Sequence, residues 1–220
     1  MSLKKKIADV YKKAMEELNR TANDIVDTPV DPYFVAGNGT KLNREILAGK
    51  KCYLSGPIEA SGYTSSDQEF DNWRTEPTQV LEDWFDMSVF DPFEDTKQNR
   101  WEEINQAKRD KDYESLTKIA RGFVLKDLSE VDHSDLIIAY VPKGVPTTGT
   151  THEVINANDR KKPVLLVCPE GKENVPLWYY GFIDADCMFG SWHELYDFLD
   201  DINNMKLTDN TRFWRIYGLI

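Results

Sequence analysis

Between residues 51 and 204, short apolar runs alternate with amphipathic stretches. The runs KCYLSG (51–56), SVFDP (88–92), DLIIAYV (135–141), KPVLLVC (162–168) and, more weakly, ADCMF (185–189) have the length and the β-branched and aromatic content of strands. Helical periodicity fills the gaps at about 66–85, about 98–131 with a break near 111, 150–160 and 192–204. Strands apolar on both sides must be covered on both sides, and each parallel crossover must pass over a face of the sheet. The pattern therefore predicts an α/β domain: a doubly wound parallel sheet of five strands.

The ends of the chain have a different character. Residues 4–23 place Ile7, Val10, Tyr11, Ala14, Met15 and Leu18 on one helical face, which predicts an extra N-terminal helix. The segment 27–49 carries two prolines and three glycines and reads as an irregular connection. The expected organisation is thus a helix and irregular extension over 1–50, an α/β catalytic domain over 51–204, and a tail over 205–220. That tail contains RFWRIYGLI; Phe213, Trp214, Ile216 and Tyr217 favour packing on the domain or on a neighbouring subunit over solvation.

Composition narrows the function classes. With 220 residues, 40% hydrophobic, the chain can bury one good-sized core. A formal charge of -11, without a cluster of Lys and Arg interleaved with aromatics, argues against polymeric nucleic acid as a partner. The apolar runs are far shorter than the roughly 20 residues that span a bilayer, and MSLKKKIADV lacks a signal-peptide core. These features predict a cytoplasmic protein with no membrane partner. Cys52, Cys168 and Cys187 form no C-x-x-C pair and lie in or beside apolar runs, so buried reduced thiols are expected. His133, His152 and His193 show no metal-ligand spacing, and no metal is expected.

In an open α/β sheet, ligands bind beyond the carboxyl ends of the strands. The first strand there opens into SGPIEASGYTSS, which includes Gly56, Pro57 and Ile58, and the second ends at Asp91. The third runs into VPKGVPTTGTTHE, where Thr147, Thr148, Gly149 and Thr150 precede a helix whose N-terminal amides suit an anion or a polar sugar. Glu153 admits two readings. Thr150-x-x-Glu153 matches a capping box, as do Ser66-x-x-Glu69 and Ser191-x-x-Glu194. Alternatively, a carboxylate kept ionised by the helix dipole is a nucleophile.

Asp127 is the second candidate. It completes a stripe with Leu116, Ala120, Phe123 and Val131 on the helix ahead of the third strand. An acid on an apolar face is either satisfied by a local donor or held protonated to serve as a general acid. Two carboxyls in contrasting environments are the usual basis for assigning acid and nucleophile. Elsewhere, DHSD (132–135) reads as a polar strand entry, and LWYY (177–180) offers Trp178 as a surface for a planar ring. The 144–149 turn matches neither a P-loop nor a dinucleotide fingerprint.

Taken in order, CYLSGPI, VFDP, KDLSEVDHSDLIIAYV and GTTHEVINANDRKKPVLLV resemble the nucleoside 2-deoxyribosyltransferase family over residues 51–190. The resemblance implies a flavodoxin-like or Rossmann-like fold, no cofactor, and sites built at subunit contacts, hence a homo-oligomer. It implies a nucleoside or nucleotide substrate and a free nucleobase acceptor. By position, Glu153 becomes the nucleophile at the anomeric carbon, Asp127 the general acid and base, and Tyr53 the hydroxyl that positions the nucleophile. Gly56, Pro57, Ile58, Asp91, Thr147, Thr148, Gly149, Thr150 and Trp178 are the expected substrate contacts. Two positions depart from the family pattern: Thr147 stands where the transferases carry an acid for the 5′-hydroxyl, and Pro176 where they carry an asparagine. A hydroxyl residue near the first position is a feature of the relatives that hydrolyse nucleoside 5′-monophosphates. A nucleotide-binding module without chemistry is the alternative from another class; two acids, at 127 and 153, weigh against it.

Overall fold

The computed structural model describes residues 46–57, 73–92 and 100–203, which fall in one compact unit, 43–220. The expected N-terminal helix, Ile58, the Ser66–Glu69 pair and the aromatic tail lie outside the described residues. Five strands, β1 (Lys51–Ser55), β2 (Ser88–Phe90), β3 (Leu136–Tyr140), β4 (Val164–Val167) and β5 (Met188–Phe189), form one sheet in the order β2-β1-β3-β4-β5. All four pairings are parallel, so the doubly wound five-stranded sheet expected from the sequence is what forms. The order is that of flavodoxin-like sheets, whose ligand crevice opens where the chain switches direction, between β1 and β3.

The described residues form five helices, α1 (Thr75–Phe85), α2 (Trp101–Asp110), α3 (Tyr113–His133), α4 (Thr148–Asp159) and α5 (Trp192–Asn203), of which α2 packs on α3 and the others cover the sheet. On one face, Cys52, Leu54, Ile138, Leu165 and Val167 pack against Leu81 and Phe85 of α1 and Leu195, Leu199 and Ile202 of α5. Leu47, from the segment expected to be an irregular connection, is fully buried in this layer. The other face sets Tyr53, Ile137, Ala139 and Leu166 against Val131 of α3 and Val154 and Ala157 of α4. Alternation along each strand therefore divides its apolar residues between two cores.

Local chemistry fixes the helix ends. Lys111, at φ 56°, breaks the chain between α2 and α3, and Asp112 caps α3 by accepting from the Ser115 amide at 3.0 Å. This is the expected break near 111. At α5 the Ser191 hydroxyl accepts from the Glu194 amide at 3.2 Å, and the Glu194 carboxylate accepts from the Gly190 amide at 2.7 Å. That is the predicted capping box, displaced by one amide. On α3 the expected stripe is only partly realised: Asp127 and Val131 are buried, Leu116 and Phe123 are half-buried, and Ala120 faces solvent, its place inside taken by Ile119. The covered line Ile119, Phe123, Asp127 and Val131 keeps a spacing of four, where the expected stripe took one step of three from Ala120 to Phe123. Of the three free thiols, Cys52 and Cys168 are buried and Cys187 is half-buried. None of the described helices is long and apolar enough to cross a membrane.

At the carboxyl edge, on the α1/α5 side, Trp73 stacks on Tyr140 with centroids 4.5 Å apart and on Trp192 at 5.8 Å. The Arg74 guanidinium lies 4.2 Å from the Trp73 ring. A Cβ at Gly56 would collide with the Trp73 ring, which these neighbours hold from several sides. Gly56→Ala is therefore expected to cost about 1–3 kcal/mol of stability, the usual range for overpacking. Urea unfolding followed by tryptophan fluorescence measures this, with loss of the near-ultraviolet aromatic signal reporting the displaced stack.

Candidate active site

β1 and β3 lie side by side in parallel register, with Tyr53 opposite Ile137 and Ser55 opposite Ala139. Period-two alternation turns Tyr53 and Ser55 to the face covered by α3 and α4. Their neighbour Ala139 contributes only a methyl group, which leaves room for a side chain descending from α4. Beyond β3 the chain turns at Gly144, whose φ of +75° suits glycine, and enters α4 at Thr148. One and a half turns later α4 delivers Glu153 into that space.

Glu153 is 8% exposed, and both of its carboxylate oxygens accept hydrogen bonds from β1. Tyr53 Oη donates to Oε1 at 2.9 Å, and Ser55 Oγ donates to Oε2. The capping reading of Glu153 is thereby overturned. Because α4 begins at Thr148, Thr150 is already inside the helix, and Thr147, the N-cap residue, makes no side-chain cap bond. The Thr-x-x-Glu signature falls three residues too late to cap anything.

Asp127, also 8% exposed, enters the same region from α3, which packs on α4 and β1. Its charge is felt at the Tyr53 hydroxyl. Burial pushes the Tyr53 phenol far above its ordinary range, and the charges of Glu153 and Asp127 push it further in the same direction, with Arg74 opposing them. Tyr53 thus remains an O–H donor throughout the pH range in which proteins work. The two acids singled out in the sequence, together with Tyr53, form one electrostatically connected group.

Other predicted contacts have different surroundings. Asp91, at the end of β2, forms an ion pair with Arg74, Nε to Oδ1 at 3.0 Å, and both side chains are largely buried. Arg74 also donates from Nη2 to the Gly56 carbonyl at 2.9 Å and from Nη1 to the Pro57 carbonyl at 3.3 Å. Gly56 and Pro57 are buried, and the open side of Gly56 is occupied by Trp73. Thr147 is half-buried, Thr148 and Gly149 are exposed, and Thr150 is buried, all in the turn that opens α4. Trp178 is 75% exposed on the short helical turn Leu177–Gly181.

That turn is tied to α4. The single hydroxyl proton of Thr151 goes to the Thr147 carbonyl at 2.9 Å, so Tyr179 must be the donor in its 2.7 Å contact with Thr151 Oγ1. The relay from Tyr179 through Thr151 fixes the carbonyl that starts α4. Ser55, Arg74 and Tyr179 were not selected from the sequence. Only Ser55 had a usable signal there, since it follows Tyr53 by two residues on one strand and so shares its face.

No protein-family model matches the chain, and neither does any curated protein sequence. Solved structures do match. A 2-deoxyribosyltransferase from the psychrotolerant bacterium Bacillus psychrosaccharolyticus is similar over 68% of this chain and 95% of its own, at 22% identity and a TM-score of 0.48. The CMP N-glycosidase of Clostridium botulinum is similar over 69% of this chain and 98% of its own, at 18% identity and a TM-score of 0.40.

Proposed function

We propose that this chain is a nucleoside 2-deoxyribosyltransferase-like enzyme that cleaves the N-glycosidic bond of 2′-deoxynucleosides and passes the deoxyribosyl group to another nucleobase. The observation that carries this reading is the Glu153 carboxylate, buried, held through both oxygens, and linked through Tyr53 to a second buried acid. Two carboxyls at one anomeric carbon are the working parts of double displacement. In the first step a Glu153 oxygen bonds to C1′ while the C1′–N bond breaks, its electron pair leaving with the base and a proton from Asp127 neutralising it. In the second step Asp127 takes a proton from the incoming base, whose nitrogen bonds to C1′, and the ester C–O pair returns to Glu153. The donors from β1 set the position of the carboxylate before the substrate arrives.

A specific feature favours hydrolysis of (deoxy)nucleoside 5′-monophosphates as the second reading. The first turn of α4 has no acidic residue and no side-chain cap, and it exposes Thr148 and Gly149. Such a helix end suits a phosphate.

Incubation with deoxynucleosides and with their monophosphates, with and without a second base, separates the readings by chromatography. Base exchange is the expected result, base release from monophosphates alone supports the hydrolase, and no turnover of any substrate defeats both. Glu153→Gln is expected to abolish turnover and the sugar adduct on the Glu153 peptide that mass spectrometry finds in quenched native enzyme. Asp127→Asn should lower kcat by about 10²–10⁴-fold, the usual contribution of a positioned acid. It should lose less with a base that leaves readily without protonation. Tyr53→Phe removes one hydrogen bond to a charged group and is expected to lower kcat/KM by about 10- to 100-fold. Steady-state kinetics with the folded variant checks this.

A further inference from the structure

We infer that Ser55 is a positioning residue for Glu153, the second arm of a clamp whose first arm is Tyr53. This rests on the assignment of Glu153 as nucleophile only for its catalytic consequence; the clamp itself is a matter of geometry. The terminal torsion of a glutamate side chain is broad, so a carboxylate held through one oxygen can still turn its plane. Here the hydroxyls of residues 53 and 55, two apart on one strand, engage opposite oxygens of the same carboxylate. The Tyr53 ring cannot follow a rotation of that plane without losing its bond, because at residue 53 β1 is paired on both sides, with Phe90 of β2 and Ile137 of β3.

The arms differ in what they can do. Tyr53 is fully buried, stacks on Phe90 at 5.6 Å, and carries a hydroxyl at the end of a rigid ring under the influence of both acids. Ser55 is also fully buried, but its hydroxyl turns about a single bond. A rotating donor can stay with Oε2 as the carboxylate shifts toward C1′, and after ester formation it can release the oxygen that has lost its charge. A buried serine hydroxyl on a strand could instead have been satisfied by a backbone carbonyl. Its placement on Oε2, opposite the oxygen that Tyr53 holds, is what distinguishes positioning from simple satisfaction.

Donors to a carboxylate favour its charged form, so removing one raises the pH at which the acid ionises. The test reads this directly in the full-length protein labelled with ¹³C at the glutamate carboxyl carbon, with the Glu153 resonance assigned from its loss in Glu153→Gln. Ser55→Ala is expected to move the Glu153 titration upward by about one pH unit, the scale of one hydrogen bond to a charged group. Ser55→Thr, which keeps a hydroxyl, is expected to titrate like the native protein. In turnover assays the acid limb of the kcat/KM profile should move by the same amount in Ser55→Ala, with KM little changed. A native Glu153 titration in folded Ser55→Ala overturns the inference, as does an equal displacement in Ser55→Thr. The titration needs no activity, so an inactive native protein would defeat the proposed reaction and leave the clamp standing.

Discussion

A carboxylate taken out of water must find hydrogen-bond donors, because an unpaired buried charge costs several kcal/mol. Glu153 finds them on β1, and that requirement reaches through the domain. Residues 53 and 55 must share a face, which requires regular strand geometry through Ser55. The adjacent β3 position must be small, and it is Ala139. α4 must begin early enough for its second turn, and not its cap, to overlie the strand. A change in the register of β1 on β3, or in the phase of α4, would bury the acid against apolar side chains. The contact that would organise the proposed chemistry therefore also selects one packing of the α3/α4 layer.

The sheet was readable from the chain because its signals are periodic and strong. Continuous apolar runs of strand length, separated by amphipathic segments, allow few arrangements other than a covered parallel sheet. Asp127 was readable as a polar residue in an apolar stripe, even though Ala120 of that stripe turned out to face solvent. Glu153 stands out in the sequence but reads two ways there, because Thr-x-x-Glu is a local pattern and its meaning depends on where the helix starts. The onset of α4 at Thr148 is set by the turn after β3 and by the Tyr179–Thr151–Thr147 relay, which joins segments 28 residues apart. The Asp91–Arg74 pair was hidden for a similar reason: Asp91 looks like a free carboxyl at a strand end until α1 brings Arg74 against it. Partner choice across the fold is what a linear pattern cannot state.

The two faces of the sheet divide the work. The α1/α5 side buries leucine, phenylalanine and isoleucine from the strands and from both helices. The α3/α4 side carries Asp127, Glu153, Tyr53 and Ser55 among its apolar residues. Buried polar groups that are fully partnered rigidify a site, whereas half-partnered ones weaken a fold. The aromatic stack of Trp73, Tyr140 and Trp192 ends the apolar layer just below the carboxyl edge, so the polar layer can be tuned for chemistry while the other face holds the sheet together.

Charge at the carboxyl edge bears on the kind of substrate. Asp127 and Glu153 both act on the Tyr53 hydroxyl, and Arg74, ion-paired with Asp91, opposes them there. Its guanidinium is already committed to Asp91 and to the Gly56 and Pro57 carbonyls, where it holds the first loop to the end of β2. Diverting it to a phosphate would release both ends of that tie. Among the described residues, an anionic substrate would instead meet the amides and hydroxyls that open α4, where the helix dipole is favourable and no acid stands in the first turn. A neutral nucleoside needs no such compensation, since its 5′-hydroxyl can both donate and accept. On the proposed function, the balance between the two substrate classes would lie with Thr147, Thr148 and the backbone around them, while the sugar and the scissile bond would answer to the clamp on Glu153 in either case.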